Sequence, residues 1–210
     1  MQEKRIHIEQ WERRLQYHFF KDFEDPYISV VAHVDVTHLL NYCHKNQLSF
    51  FLTSLHCSAL AVNQVQGMRL RMKDGDVMDY KQINMSATVF RPDTSFSFAF
   101  FPFEEDLNVF CEKSDRIVKK QIEVGGMDDP PDTLNVIYYS VVPWIHFSGL
   151  KHPRKGGDAD SVPRIVFGKY EKQNEKYRMP VAVDVHHALA DAYHIGQYFS
   201  EFQKRMDNLG

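Results

Sequence analysis

The chain has 210 residues, 43% of them hydrophobic, with sixteen Phe, ten Tyr, two Trp and a formal net charge of −3. That length and composition suit one sizeable core, and the scattered basic residues exclude the concentrated basic face that nucleic acid requires. Three cysteines (Cys43, Cys57, Cys111) without a CxxC pair do not suggest a disulfide framework.

"IEQWERRLQYHFFKDF" places Trp11, Leu15, Phe19 and Phe23 at four-residue intervals, which predicts a helical stripe over Ile8–Phe23. "YISVVAHVDV" reads as a β-branched strand, "DVTHLLNYCHKN" as a short helix, and Ser49–Val65, apolar nearly all round, as a buried helix. Asp74-Gly75 signals a hairpin, followed by strands ending in "SATVFR" and in "TSFSFAFFPF". Glu104–Val124 has the pattern of an amphipathic helix, and "GGMDDPPD" that of a loop. "TLNVIYYSVVPW" is strand-like up to Pro143, "SGLKHPRKGGDADSVP" is the strongest loop candidate, and "RIVFGKYEK" and "YRMPVAVDVHH" are strands around a turn at "QNE". Leu189–Met206 closes the chain as a helix. The N-terminus lacks the apolar run of a signal peptide and no stretch is apolar for long enough to span a bilayer, so the expectation is one cytoplasmic domain over 1–210. Mixed strands and helices predict an α/β two-layer sandwich, one mixed sheet with helices packed on it.

"VDVHHALADAYHIGQYF" (Val183–Phe199) sets three histidines and two aspartates among core-like apolar flanks. If a strand ends at His186 and a helix follows from Leu189, His187 occupies the turn, where a short rigid connection holds a side chain at the sheet rim. Three readings compete. His187 is a general base with Asp191 fixing the local geometry; or His187, Asp191 and His194 ligate a metal from one helical face; or all are ordinary polar residues around a turn. No HExxH pattern or cysteine accompanies the metal reading, and it requires a helix that begins at His187 itself.

HHxxxD just before a C-terminal helix, here "HHALADA", resembles the signature of the chloramphenicol acetyltransferase family. "QWERRLQYHFFK", "ALAVNQ", "MRLRMKD", "SATVFRPDTSFSFAF" and "LNVIYYSVVPW" resemble further family segments in the same order, so the resemblance spans nearly the whole chain. It implies direct transfer of acetyl from acetyl-CoA to a hydroxyl in a ternary complex, without a metal. Carried over residue by residue, it implies His187 as base, Ser140 as donor to the oxyanion, and an Asp191–Arg13 pair that clamps the active-site turn, with His186 structural. It further implies a coenzyme tunnel near Trp144 and Tyr170 with Lys169 available to a phosphate. The implied assembly is a homotrimer with each site at a subunit boundary.

The resemblance also has departures. Ala192 stands where the signature has glycine, and Val166 where the family has a water-holding threonine. The implied acceptor pocket includes Phe20 and Phe96, yet Glu24, His152 and Arg154 fall on positions that are apolar in the drug-resistance enzymes. Unpaired charges against an apolar antibiotic are unfavourable, so either the loop swings them away or the acceptor is more polar than chloramphenicol. Two other functions compete: a dihydrolipoyl acyltransferase, which shares HxxxDG, and a non-catalytic member that binds coenzyme A or another small molecule.

Overall fold

The structure, a computed structural model, describes residues 3–154 and 160–210. The first half of the chain forms β1 (Glu3–Ile6), α1 (Arg14–Phe20), β2 (Tyr27–Asp35), α2 (Thr37–Asn46), α3 (Phe50–Gln64) and α4 (Gln66–Arg69). Next come β3 (Leu70–Lys73), β4 (Asp76–Tyr80), β5 (Asn84–Phe90), β6 (Phe96–Phe101) and α5 (Leu107–Val124). The last part is β7 (Val136–Val142), β8 (Arg164–Gly168), β9 (Glu171–Gln173), β10 (Lys176–His186) and α6 (Ala192–Asp207).

A seven-stranded sheet runs β2-β10-β8-β7-β5-β6, with β9 paired to β10, and a small sheet runs β1-β4-β3. β5–β7 and β7–β8 are parallel and the other pairs antiparallel, so the large sheet is mixed as expected. β10 is buried continuously from Met179 to His186, the pattern of a strand covered on both faces. Val181, Val183 and Val185 join the core that α2, α3, α5 and α6 cover, while Ala182 packs on the opposite face with Val166 and Phe147. Inside the helical layer, Ser58 of α3 pairs its hydroxyl with those of Tyr139 (2.9 Å) and Tyr198 (2.7 Å), tying α3 to β7 and α6.

Local chemistry explains the element ends. Ser49 caps α3 by accepting from Leu52 N–H, and Asp106 caps α5 by accepting from Val109 N–H. Asp74 (φ 52°) and Gly75 (φ 82°) form the β3–β4 hairpin turn.

Three expectations need correction. The N-terminal stripe is not one helix: a 3-10 turn spans Ile8–Gln10, Trp11 is extended (φ −83°, ψ 135°), and only Arg14–Phe20 is α-helical. The extended Trp11 packs beside Tyr17, Leu70 and Leu189, whereas Leu15 and Phe19 are 71% and 64% exposed. "RIVFGKYEK" is two strands, because Lys169 N–H leaves the ladder to donate to Ile145 O (2.9 Å). The last helix begins at Ala192, three residues later than expected, since Leu189 and Ala190 N–H both turn back to His186 O.

Gly168 sits where β8 passes under a loop. A Cβ there would meet Pro180 Cγ at 2.6 Å and Phe147 Cε1 at 2.7 Å. Gly168→Ala is therefore expected to cost about 1–3 kcal/mol by overpacking, read as a lower urea midpoint with an unchanged slope.

Candidate active site

His187 occupies the turn between β10 and α6, half-buried. Its backbone N–H donates to Pro26 O at 2.7 Å, and its ring stacks on Phe20 with centroids 4.0 Å apart and planes 19° apart. Nδ1 lies 3.3 Å from Ala190 O. A carbonyl only accepts, so in this contact Nδ1 carries a proton, and in the neutral ring Nε2 presents a lone pair. That is the tautomer a general base requires.

His186 has a different environment. It is buried against the edge of the Tyr27 ring, and its Nδ1 accepts from Ala188 N–H at 3.3 Å. Burial first, then the Arg154 charge, pushes its pKa down to about 4, with Asp160 opposing. It is a neutral wedge under the turn.

Asp191 caps α6, accepting from Tyr193 N–H, and its two oxygens are divided between partners. Arg13 Nη1 donates to Oδ2 at 2.6 Å and His194 Nδ1 to Oδ1 at 2.9 Å, while Arg13 Nη2 reaches His187 O at 3.4 Å. The metal reading does not fit this arrangement, because α6 begins after Asp191 and His187 lies outside the helix. Among the described residues, no group of three or more His, Cys, Asp or Glu could hold a metal ion. Ala192 is exposed on the first turn of α6 and is absent from the left-handed region, so the missing glycine brings no backbone strain there.

Burial tends to raise the Asp191 carboxyl, but the hydrogen bonds and charges of Arg13 and His194 prevail and hold it at about 2, against an ordinary 3.8. A depressed folded-state pKa contributes stability that is complete above the unfolded value and lost as pH falls through the folded one. Denaturation series from pH 5 down to about pH 2 are therefore expected to show wild type losing stability relative to Asp191→Asn, the gap at pH 5 narrowing steadily on acidification.

Ser140 lies elsewhere. The pairing register sets Ser140 opposite Val166, Val166 opposite Ala182 and Ala182 opposite Val31, one row across four strands. Val166 is buried beside Phe147 and Ala182, an apolar neighbour for the Ser140 hydroxyl. His187 follows Ala182 by five residues, and β10 is two strands from β7. At about 3.3 Å per residue and 4.8 Å per strand, the two Cα atoms are roughly 15–20 Å apart. Phe96 is half-exposed on β6, the far edge of the sheet. Within one chain, neither Ser140 nor Phe96 reaches His187.

The other implied residues divide by location. Trp144 and Tyr170 are exposed, and the segments that carry Trp144 and Lys169 are joined by Lys169 N–H to Ile145 O and by His146 Nδ1 to Lys169 O, both 2.9 Å. Tyr170 packs edge-on against Phe50, and Lys169 Nζ lies 3.7 Å from Glu171. Glu24 is exposed after α1. The loop expected over 148–163 is irregular where described; residues 155–159 lie outside the described residues. His152 and Arg154, on that loop, are bound to the sheet: His152 Nδ1 is 2.9 Å and Arg154 Nη2 3.7 Å from Asp184 Oδ2, and Arg154 Nη1 is 3.1 Å from Asp160 Oδ1. Arg154 also lies over the Tyr27 ring, 3.4 Å from its centroid.

Asp184 was not among the residues expected at the site. The signal was present in "VAVDVHH": a charge inside an otherwise apolar buried strand requires a buried partner.

A family profile described as "Chloramphenicol acetyltransferase" matches residues 1–203. The chain belongs to the chloramphenicol acetyltransferase family. A chloramphenicol acetyltransferase of Proteus mirabilis is 26% identical over 203 residues, covering 96% of this chain and 94% of the relative. One from Clostridium perfringens is 27% identical over 209 residues, covering 97% and 94%. A solved chloramphenicol acetyltransferase superposes with a TM-score of 0.87 at 23% identity, covering 97% of this chain and 99% of that one. The dihydrolipoamide acetyltransferase of Azotobacter vinelandii superposes at 0.66 with 12% identity, which speaks for the fold alone. Membership of the chloramphenicol acetyltransferase family supports an acyltransferase activity. No helix among the described residues is long and apolar enough to cross a membrane.

Proposed function

We propose that the chain, acting as one acyltransferase domain over 1–210 in the cytoplasm, is an acetyl-CoA-dependent O-acetyltransferase whose acceptor is chloramphenicol or another small hydroxyl compound. The observation that carries this reading is the placement of His187: Nδ1 lies 3.3 Å from Ala190 O, a contact that in the neutral ring leaves Nε2 as the base at the rim of the sheet.

In the proposed reaction, the acceptor oxygen attacks the thioester carbonyl carbon while His187 Nε2 takes the hydroxyl proton. The Ser140 hydroxyl donates to the oxyanion of the tetrahedral intermediate. The C–S bond then breaks, and the departing thiolate recovers the proton from His187, giving acetyl ester and free coenzyme A. Arg13 and Asp191 hold the turn that carries the base. Trp144, Tyr170 and Lys169 would border the coenzyme, with the Lys169 ammonium facing a phosphate.

The distance between His187 and Ser140 makes this reading oligomeric. A base and an oxyanion donor must lie within hydrogen-bond reach of one reacting centre, about 3 Å from their targets. We therefore read the active unit as a homotrimer in which His187 of one copy faces Ser140, Val166 and Phe96 of the next. The exposed Leu15 and Phe19 of α1 and Phe23 just after it, and the exposed Phe90, Phe96 and Trp144, supply apolar surface for such a boundary.

Steady-state release of free thiol from acetyl-CoA, followed with a thiol reagent, tests the reading. Acceptor-dependent thiol release with chloramphenicol or with another alcohol is the expected result. Absence of transfer to every hydroxyl acceptor in a broad panel would contradict it.

A further inference from the structure

Away from the turn of His187, two further histidines converge. His33 is exposed on β2, the edge strand of the seven-stranded sheet, and lies two residues beyond Val31, so both side chains stand on one face. On that face Phe147 is buried with Val166 and Ala182, and Val31 packs against them. Burial of Phe147 brings its neighbour His146 over β2, where His146 Nε2 lies 3.1 Å from His33 Nε2. The two rings are nearly parallel, 24° apart, with centroids 5.0 Å apart.

The other nitrogen of His146 fixes the orientation of its ring. Nδ1 faces two acceptors, Lys169 O at 2.9 Å and Glu171 Oε2 at 4.0 Å. A carbonyl and a carboxylate only accept, so Nδ1 carries a proton, and in the neutral ring Nε2 turns a lone pair toward His33. Metal-bound histidines adopt this arrangement, the ring N–H that does not face the ion being held by a carbonyl or carboxylate. His33 is exposed, and water can serve its Nδ1 in either neutral tautomer. With the proton on Nε2, His33 donates to His146; with the proton on Nδ1, it presents a second lone pair beside the first. Two nitrogens bound to one ion at about 2.0–2.1 Å, at angles from a right angle to the tetrahedral one, are about 2.8–3.4 Å apart. The observed 3.1 Å falls inside that window. Chelation therefore needs one proton to move from Nε2 to Nδ1 of His33, with no net release from neutral rings. The charges beside the pair include Arg178 near His33 and Glu171 near His146, one of each sign.

We infer that His33 and His146 form a binding site for a divalent transition metal of the kind imidazole prefers, such as zinc, nickel or copper, with water completing the coordination. Two protein ligands make an open, exchangeable site rather than a closed structural centre. The ion ties the edge strand β2 to the segment that carries Trp144. The site is separate from the turn of His187, and the inference does not depend on the acyl-transfer reading.

Nickel titrated into wild type at pH 8, above the ordinary imidazole pKa of about 6.5, tests the site by calorimetry. Wild type is expected to bind one ion per chain at its tightest site, and equimolar magnesium, which takes oxygen ligands, is expected not to compete. His33→Gln and His146→Gln are each expected to weaken that binding by about 10²-fold, the scale of the gain from holding two ligands on one support. In wild type, substoichiometric copper is expected to broaden the ring resonances of His33 and His146 before those of the other histidines. This NMR readout needs no variant to fold. Nickel binding unchanged in either variant, broadening centred on other histidines, or competition by magnesium would overturn the assignment. Absence of measurable nickel binding in wild type would overturn it as well.

Discussion

His187→Ala is expected to lower kcat for acetyl transfer by about 10²–10⁴-fold, the usual contribution of a positioned general base. KM for acetyl-CoA should change little, because the ring touches Phe20 and the turn rather than the Trp144–Lys169–Tyr170 region. Its contribution to stability is modest: the lost stacking on Phe20 is worth about 0.5–1.5 kcal/mol. The backbone bond from His187 N–H to Pro26 O survives the substitution. Loss of rate with the fold retained, read by stopped assays beside circular dichroism, is the signature of a lost base. A variant that kept full turnover would contradict the assignment.

Ser140→Ala is expected to cost about 10²–10³-fold in kcat, or about 2.7–4 kcal/mol of transition-state stabilisation, as for other single oxyanion donors. The rest of its row offers no substitute hydroxyl, since Val166 and Ala182 are apolar. The loss should fall on kcat more than on KM, because the oxyanion exists only after attack. An equal rise in KM with kcat unchanged would instead make Ser140 a ground-state contact. The double variant is expected to lose less than the product of the two single losses, because both groups serve one transition state.

Much of this was readable in the sequence, for identifiable reasons. Strong periodicity survives tertiary packing: the all-round apolar α3, the alternating β5 and β6 and the Asp74-Gly75 turn are where pattern and turn chemistry predict them. The N-terminal stripe misled because Leu15, Phe19 and Phe23 have the spacing of a core-facing helix but remain exposed in a single chain. Periodicity marks a face to be buried and does not say against which molecule. The break after Gly168 depends on one hydrogen bond to a residue twenty-four positions earlier, which no local pattern carries.

At the candidate site the limits are similar. Motif spacing located His187 and Asp191, and the structure adds the tautomer and the division of the Asp191 oxygens between Arg13 and His194. The partnership of His152 with Asp184 spans thirty-two residues and depends on how one irregular loop lies on the sheet. The lone aspartate in β10 announced that some partner existed without naming it.

The central claim is that one active site takes its base from one copy and its oxyanion donor from another. Mixing the two defective variants tests this directly. His187→Ala and Ser140→Ala chains, unfolded together and reassembled at equal concentrations, should regain activity, since some boundaries then pair an intact His187 with an intact Ser140. Random assortment in a cyclic trimer predicts that about one quarter of the sites are complete, and so about one quarter of wild-type activity. A reassembled mixture no more active than its two parents would contradict the account.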